Sequence, residues 1–164
     1  FWVFRRGDPE CGVTLHQLGP ELDTGDVLSS AKIETPFGVT GAQLSERLGA
    51  LGAELVAQSL GRIMNEPWHL VPQPQDGGAW ARKPIAEDLE VRADEWTAAR
   101  LFHFVHGAKT FGTPWATLGG DTYYFADASA FDPGRKIPGE FVVLGDNLIL
   151  KVKDGTVTLR LVRL

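Results

Sequence analysis

Residues Gly12 to Leu28, GVTLHQLGPELDTGDVL, set Asp23 in a Gly-bounded turn between two apolar runs. A carboxylate held there has its backbone fixed and water partly excluded, so its charge can orient an imidazolium or hold a water. On spacing alone the plainer reading, a surface turn aspartate, prevails. His103 and His106, at i and i+3 on a helical stretch, could share a metal. Zinc wants about four ligands, however, and no Cys or carboxylate joins them at suitable spacing, so no metal is expected. Cys11 is the sole cysteine and cannot form an internal disulfide. With no base evident beside it, a small buried thiol is the default reading. Trp96, Trp115, Phe102 and Phe104 could stack bases, but their helical and turn positions suit a core. Lys151, Lys153 and Arg160 share the outer face of a strand pattern and read as solvated rather than phosphate-binding.

Val13 to Leu18 and Val27 to Ile33 read as strands flanking a loop rich in Gly, Pro, Asp and Thr. Thr40 to Ile63 is the clearest helix: Leu44, Leu48, Leu51, Leu55, Leu60 and Ile63 recur at helical spacing after a Thr40–Gln43 capping box. Before all of these stands FWVFRR, an apolar start that reads as the end of an element stopped by Gly7-Asp8-Pro9. The expectation is a chain truncated at its N-terminus.

Pro67, Pro72, Pro74, Pro84 and the pair Gly77-Gly78 mark residues 65–81 as a linker. Beyond it, Asp94 is expected to cap a helix that runs through Val105 and ends at Gly107, with Leu101, Phe104 and Val105 inward. The remainder reads as β structure: Phe141–Leu144, Leu148–Lys153 and Thr156–Val162, with Asp154-Gly155 a hairpin signal. Leu148, Leu150 and Val152 share one face, as do Val157, Leu159 and Leu161. The organisation is therefore α/β, with 1–64 and 82–164 as two domains.

Composition bounds the rest. With 164 residues, 43% of them hydrophobic and 23% charged, the chain has enough apolar material to bury a core. Its longest apolar runs fall far short of the roughly 20 residues that span a bilayer. No signal-peptide pattern appears, and a cytoplasmic chain without a membrane partner is expected. Residues 1–81 hold 5 Lys and Arg against 10 Asp and Glu, and residues 82–164 hold 11 against 11. Neither half is the basic footprint of a nucleic-acid binder.

Gly7-Asp8, then Gly12-Val13-Thr14, then Leu22-Asp23-Thr24-Gly25-Asp26, in this order and spacing, resemble the folate-dependent formyltransferases, most of all the methionyl-tRNA formyltransferases and their relatives. The resemblance continues through the helix to Ile63, the Pro-rich link, Glu95-Trp96-Thr97 and Pro114-Trp115 into the tail at Pro138-Gly139. It implies the C-terminal part of a Rossmann-like catalytic domain followed by a small β-rich, barrel-like (OB-like) domain. It implies transfer of a formyl group from 10-formyltetrahydrofolate, a co-substrate, to an amino group, without a metal. Asp23 matches the family's catalytic aspartate. Glu21, Leu22, Thr24 and Gly25 match the loop that meets the pterin ring, and Asp26 falls to a structural role.

One departure qualifies the match. The family carries its catalytic Asn and His in an Asn-x-His-x-Ser-Leu-Leu-Pro segment upstream of the Asp, and the 22 residues before Asp23 do not contain it. None of His16, His69, His103 or His106 stands in its place. The expectation is a chain inactive by itself, which needs the missing N-terminal half of the catalytic domain. Initiator methionyl-tRNA is the expected acceptor. A small amine such as an amino-sugar nucleotide is the rival, and a non-catalytic binding module is the reading from another class.

Overall fold

The computed structural model describes residues 1–74 and 81–162. The Gly77-Gly78 pair lies outside the described residues. Two compact units emerge: one of Phe1–Asp8, Pro36–Ala42 and Lys83–Leu164, the other of Pro9–Thr35 and Gln43–Arg82.

The smaller unit holds an antiparallel ribbon of β1 (Glu10–His16) and β2 (Val27–Glu34), with the helix α2 (Gly41–Ile63) entering it at Gln43. Register runs from Glu10 opposite Glu34 to His16 opposite Val27, and slips between Leu15 and His16. The slip is a bulge, which bends a strand where it leaves the ladder. It falls where the chain enters the Asp23 loop. On α2 the inward stripe is Leu44, Leu48, Leu51, Leu55, Ser59 and Ile63. Leu60, expected on that stripe, is instead 54% exposed. Five residues on from Leu55 it is turned about 140° around the axis, whereas Ser59 at i+4 stays on the face. Ser59 Oγ lies 2.9 Å from Ser29 Oγ of β2, so the inward polar group is satisfied.

The larger unit contains α1 (Trp2–Arg6), a 3-10 turn at Ala86–Leu89, α3 (Ala98–Ala108) and five strands. These are β3 (Trp115–Leu118), β4 (Asp121–Pro133), β5 (Phe141–Leu144), β6 (Asn147–Val152) and β7 (Gly155–Leu161). They form one curled antiparallel sheet in the order β3-β4-β7-β6-β5. Two register slips in β4, at Phe125/Asp127 and Ala128/Ala130, bend the longest strand. They also break its alternation, which is why Thr122 to Pro133 gives no clean strand pattern in sequence.

The core lies between α3 and this sheet. Leu101, Phe104 and Val105 of α3 and Phe125, Leu148, Leu150, Val157 and Leu159 of the sheet are all 0% exposed. Leu148 opposes Leu159 and Leu150 opposes Val157, so each pair buries both members on one face. Gly155 opens β7 because β4 approaches it closely: a Cβ there would stand 2.2 Å from the Asp132 carbonyl oxygen. The cap of α3 differs from the expected Asp94. Thr97 Oγ1 accepts from Arg100 N–H at 3.3 Å, and Asp154 Oδ1 from the β6–β7 turn accepts from Ala98 N–H at 2.6 Å. A carboxylate distant in sequence thus satisfies a helix N–H, and helix N-termini favour negative charge.

Candidate functional site

The loop between β1 and β2 is built in layers. Gln17 N–H donates to the Asp26 carbonyl at 2.9 Å and closes its base. Gly25 lies so near the incoming strand that a Cβ would stand 1.7 Å from Gln17 O, which leaves room only for glycine. Thr24 Oγ1 donates to Glu21 O at 3.1 Å, an internal brace. Between them Asp23 adopts φ 59°, and it is the one non-glycine among the described residues with positive φ. Asp visits this left-handed region more readily than most residues, at a cost of about 1–2 kcal/mol.

The backbone carries that strain while the carboxylate faces water, its side chain 78% exposed. Its near neighbour is His16, whose Nε2 lies 3.5 Å from Asp23 Oδ1. The other ring nitrogen, Nδ1, donates to Gln17 O at 3.0 Å and so fixes the imidazole plane. Gln73 reaches in from the segment after α2, its Nε2 donating to Asp23 O at 2.9 Å and to Gly25 O at 2.6 Å. An imidazole and a carboxylate so arranged can share or relay a proton. Glu21, Leu22 and Thr24 lie exposed along the same loop, Leu22 at 85%, and Gly25 and Asp26 are half-buried. Sequence spacing places His16 on a strand with no tie to Asp23; the loop closure returns Asp23 to it. Gln73 has no signal in the sequence at all, because it meets the loop only through the fold.

The ribbon and α2 also border an apolar groove of about 370 Å³ that includes Leu15, Leu18, Leu28, Leu60 and Trp68. His69 lies apart from Asp23, lining a smaller cavity of about 130 Å³ with Arg62 and Glu66. Cys11 is free and half-buried on β1.

The remaining candidates are structural in the larger unit. His103 Nδ1 accepts from Gly38 N–H at 3.0 Å, and its ring stacks on Phe37 with centroids 5.8 Å apart. Burial, and secondarily His106, hold its pKa below the ordinary 6.5. His106 Nδ1 instead faces Asp127 at 3.5 Å, beside Lys109 at 3.3 Å and Arg160 at 3.8 Å. The two histidines therefore serve different partners. Among the described residues no group of three or more His, Cys, Asp or Glu side chains could hold a metal ion. Trp96 and Phe104 are core residues in edge contact at 4.9 Å. Trp115 donates from Nε1 to Ala86 O at 2.9 Å, and Phe102 stacks on Phe37. Lys151 and Lys153 are exposed and border a depression of about 810 Å³ together with Arg92, Glu90, Asp94 and Glu140, a mixed rather than basic lining.

No family model matches the chain. It is 33% identical to the methionyl-tRNA formyltransferase of Ruegeria pomeroyi over 93% of its own length and 49% of that protein. Its homologues are methionyl-tRNA formyltransferases. The chain spans about half the length of these curated formyltransferases. Among solved structures, WlaRD, a sugar 3N-formyl transferase crystallised in the presence of dTDP and 5-N-formyl-THF, matches 99% of the chain at TM-score 0.72 and 15% identity, over 59% of its own length. HypX from Aquifex aeolicus, in complex with tetrahydrofolic acid, matches 96% at TM-score 0.69 and 20% identity, over 28% of its own length. The chain thus has the fold of the corresponding part of these two structures. No helix among the described residues is long and apolar enough to cross a membrane.

Proposed function

We propose that the chain is the C-terminal portion of a 10-formyltetrahydrofolate-dependent formyltransferase and that Asp23 is its share of the catalytic apparatus. Residues 1–64 then correspond to the end of a Rossmann-like catalytic domain, and residues 82–164 to a β-rich, OB-like domain. The observation that carries this reading is the strained, braced loop that sets the Asp23 carboxylate beside the His16 imidazole in a chain homologous to methionyl-tRNA formyltransferases.

The loop residues suit a folate. Glu21 to Thr24 are exposed, Leu22 at 85%, so the loop presents its peptide edge and the apolar Leu22 face where a pterin could meet them. When bound, 10-formyltetrahydrofolate supplies the formyl group. Amine attack on the formyl carbon would give a tetrahedral oxyanion and an ammonium that must lose its proton; collapse of the oxyanion would then break the bond to the folate N10, which takes up a proton and leaves as tetrahydrofolate. Asp23 would receive that proton directly or through water, or stabilise an imidazolium that has received it. The Asn and His of the resembled family would come from the part of the relatives this chain does not span. The N-terminal half of such a relative is the proposed partner, and formyl transfer is expected only in its presence.

Methionyl-tRNA is the acceptor favoured by the relatives, and initiator tRNA is the expected partner. A small amine such as an amino-sugar nucleotide is the second reading, supported by the charge balance of residues 82–164 and by the likeness in fold to a sugar formyltransferase. The test complements this chain with the N-terminal half of the Ruegeria pomeroyi relative and measures formyl transfer to each acceptor. Asp23→Asn should lower turnover about 10²–10⁴-fold; unchanged turnover would remove Asp23 from the chemistry, and no transfer to either acceptor would favour a non-catalytic module.

A further inference from the structure

The segment that follows α2 returns to the Asp23 loop. Val27 N–H donates to Val71 O at 2.8 Å and Val71 N–H to Val27 O at 2.9 Å, a bridge that lays the segment beside the first residue of β2. Two residues further, Gln73 commits both hydrogens of its amide, one to Asp23 O and one to Gly25 O. These carbonyls flank Thr24, so the amide spans the turn and holds its two peptide groups at a fixed separation. Asp23 needs such a hold. Its φ of 59° is unfavourable for a residue with a Cβ, and its exposed side chain has little packing to direct it. Whatever sets the backbone of Asp23 therefore sets the direction of its carboxylate toward His16.

We propose that Gln73 is a positioning residue: through its two hydrogen bonds it maintains the left-handed conformation of Asp23 and hence the Asp23–His16 pairing. This rests on the reading of Asp23 as the chain's catalytic group, and gives that group a determinant 50 residues away in sequence. The competing account is that Gln73 merely fastens its own segment to the surface, with no consequence for the carboxylate.

The two accounts separate by NMR in the isotopically labelled chain, complexed with the unlabelled N-terminal half of a relative. Gln73→Met and Gln73→Glu keep the length of the side chain and donate no hydrogen bond. In both, the Gln17 amide that closes the loop base should exchange about tenfold faster, and the Asp23 and Gly25 carbonyl ¹³C resonances should shift. At one fixed pH the His16 ring resonances should move toward their positions in Asp23→Asn, and adding Gln73→Met to Asp23→Asn should move them no further. Loop resonances unchanged in both variants would overturn the proposal. So would a loosened loop with His16 unmoved, which is the signature of a fastening role alone. If one variant fails to fold, the other carries the test; failure of both, with Asp23→Asn folded, also overturns it by making Gln73 a determinant of the unit rather than of the loop. These readouts need neither folate nor acceptor, so loss of the formyltransferase reading would leave the positioning result intact, and the reverse holds as well.

Discussion

His103 ties a backbone amide to a side chain that must stay neutral. Its Nδ1 accepts from Gly38 N–H, and an imidazolium has no lone pair left to accept with. Its folded pKa lies below the unfolded value of about 6.5, for which burial is the first cause. Between the two values the unfolded chain binds more protons, so stability rises with pH across that window. It is fully present above about 6.5 and declines as pH falls toward the folded pKa. Urea denaturation at pH 7.5 and 5.5 should show the decline, and His103→Gln, which accepts without titrating, should flatten it. His103→Phe should cost about 1–3 kcal/mol at neutral pH by leaving the Gly38 N–H unpaired. In the loop, Gly25→Ala must displace Gln17 O, so it should cost about 1–3 kcal/mol in urea denaturation and disturb the His16 ring signals.

Among the elements, α3 shows how a helix end is satisfied by a residue that no local pattern names. Asp154, in the β6–β7 turn, receives Ala98 N–H, whereas Asp94 lies within the Arg92–Glu95 turn that precedes the helix. Asp154→Ala should therefore lower stability by about 1 kcal/mol, while Asp94→Ala should change it by less than about 0.5 kcal/mol; paired urea titrations compare the two. Phe104→Ala, at a fully buried site facing Trp96, should cost about 3–5 kcal/mol in the same measurement. The apolar alternation of β6 and β7 was legible because the two strands pair without a slip and set Leu148, Leu150, Val157 and Leu159 on one fully buried face. β4 was not, because its two bulges change which side its residues face midway along the strand.

At the scale of the whole molecule, the most exposed large apolar side chains belong to the smaller unit. Leu18 is 93% exposed, Leu22 and Met64 85%, Leu60 54% and Trp68 52%. Among the described residues β1 has β2 as its only strand neighbour. Such surface and a free strand edge promote association. The isolated chain should bind a hydrophobic dye and scatter light increasingly with concentration, and the N-terminal half of a relative should suppress both. A dye-silent monomer would count against the need for that half.

Local chemistry was available from sequence alone: a Gly-bounded aspartate between two strands, a long helix, two regular strands with paired apolar faces, and a residue order resembling the formyltransferases. Each is written in spacings of two to four residues or in a contiguous motif, and the backbone obeys such signals wherever they stand. Only the tertiary structure decided which distant groups meet. Loop closure brings His16 to Asp23, the return of the chain after α2 brings Gln73 to the same loop, and the β6–β7 turn brings Asp154 to α3. Those encounters depend on where several elements pack, and no short stretch of sequence encodes that placement. Asp23 is therefore readable by its motif, while its direction is a property of the fold.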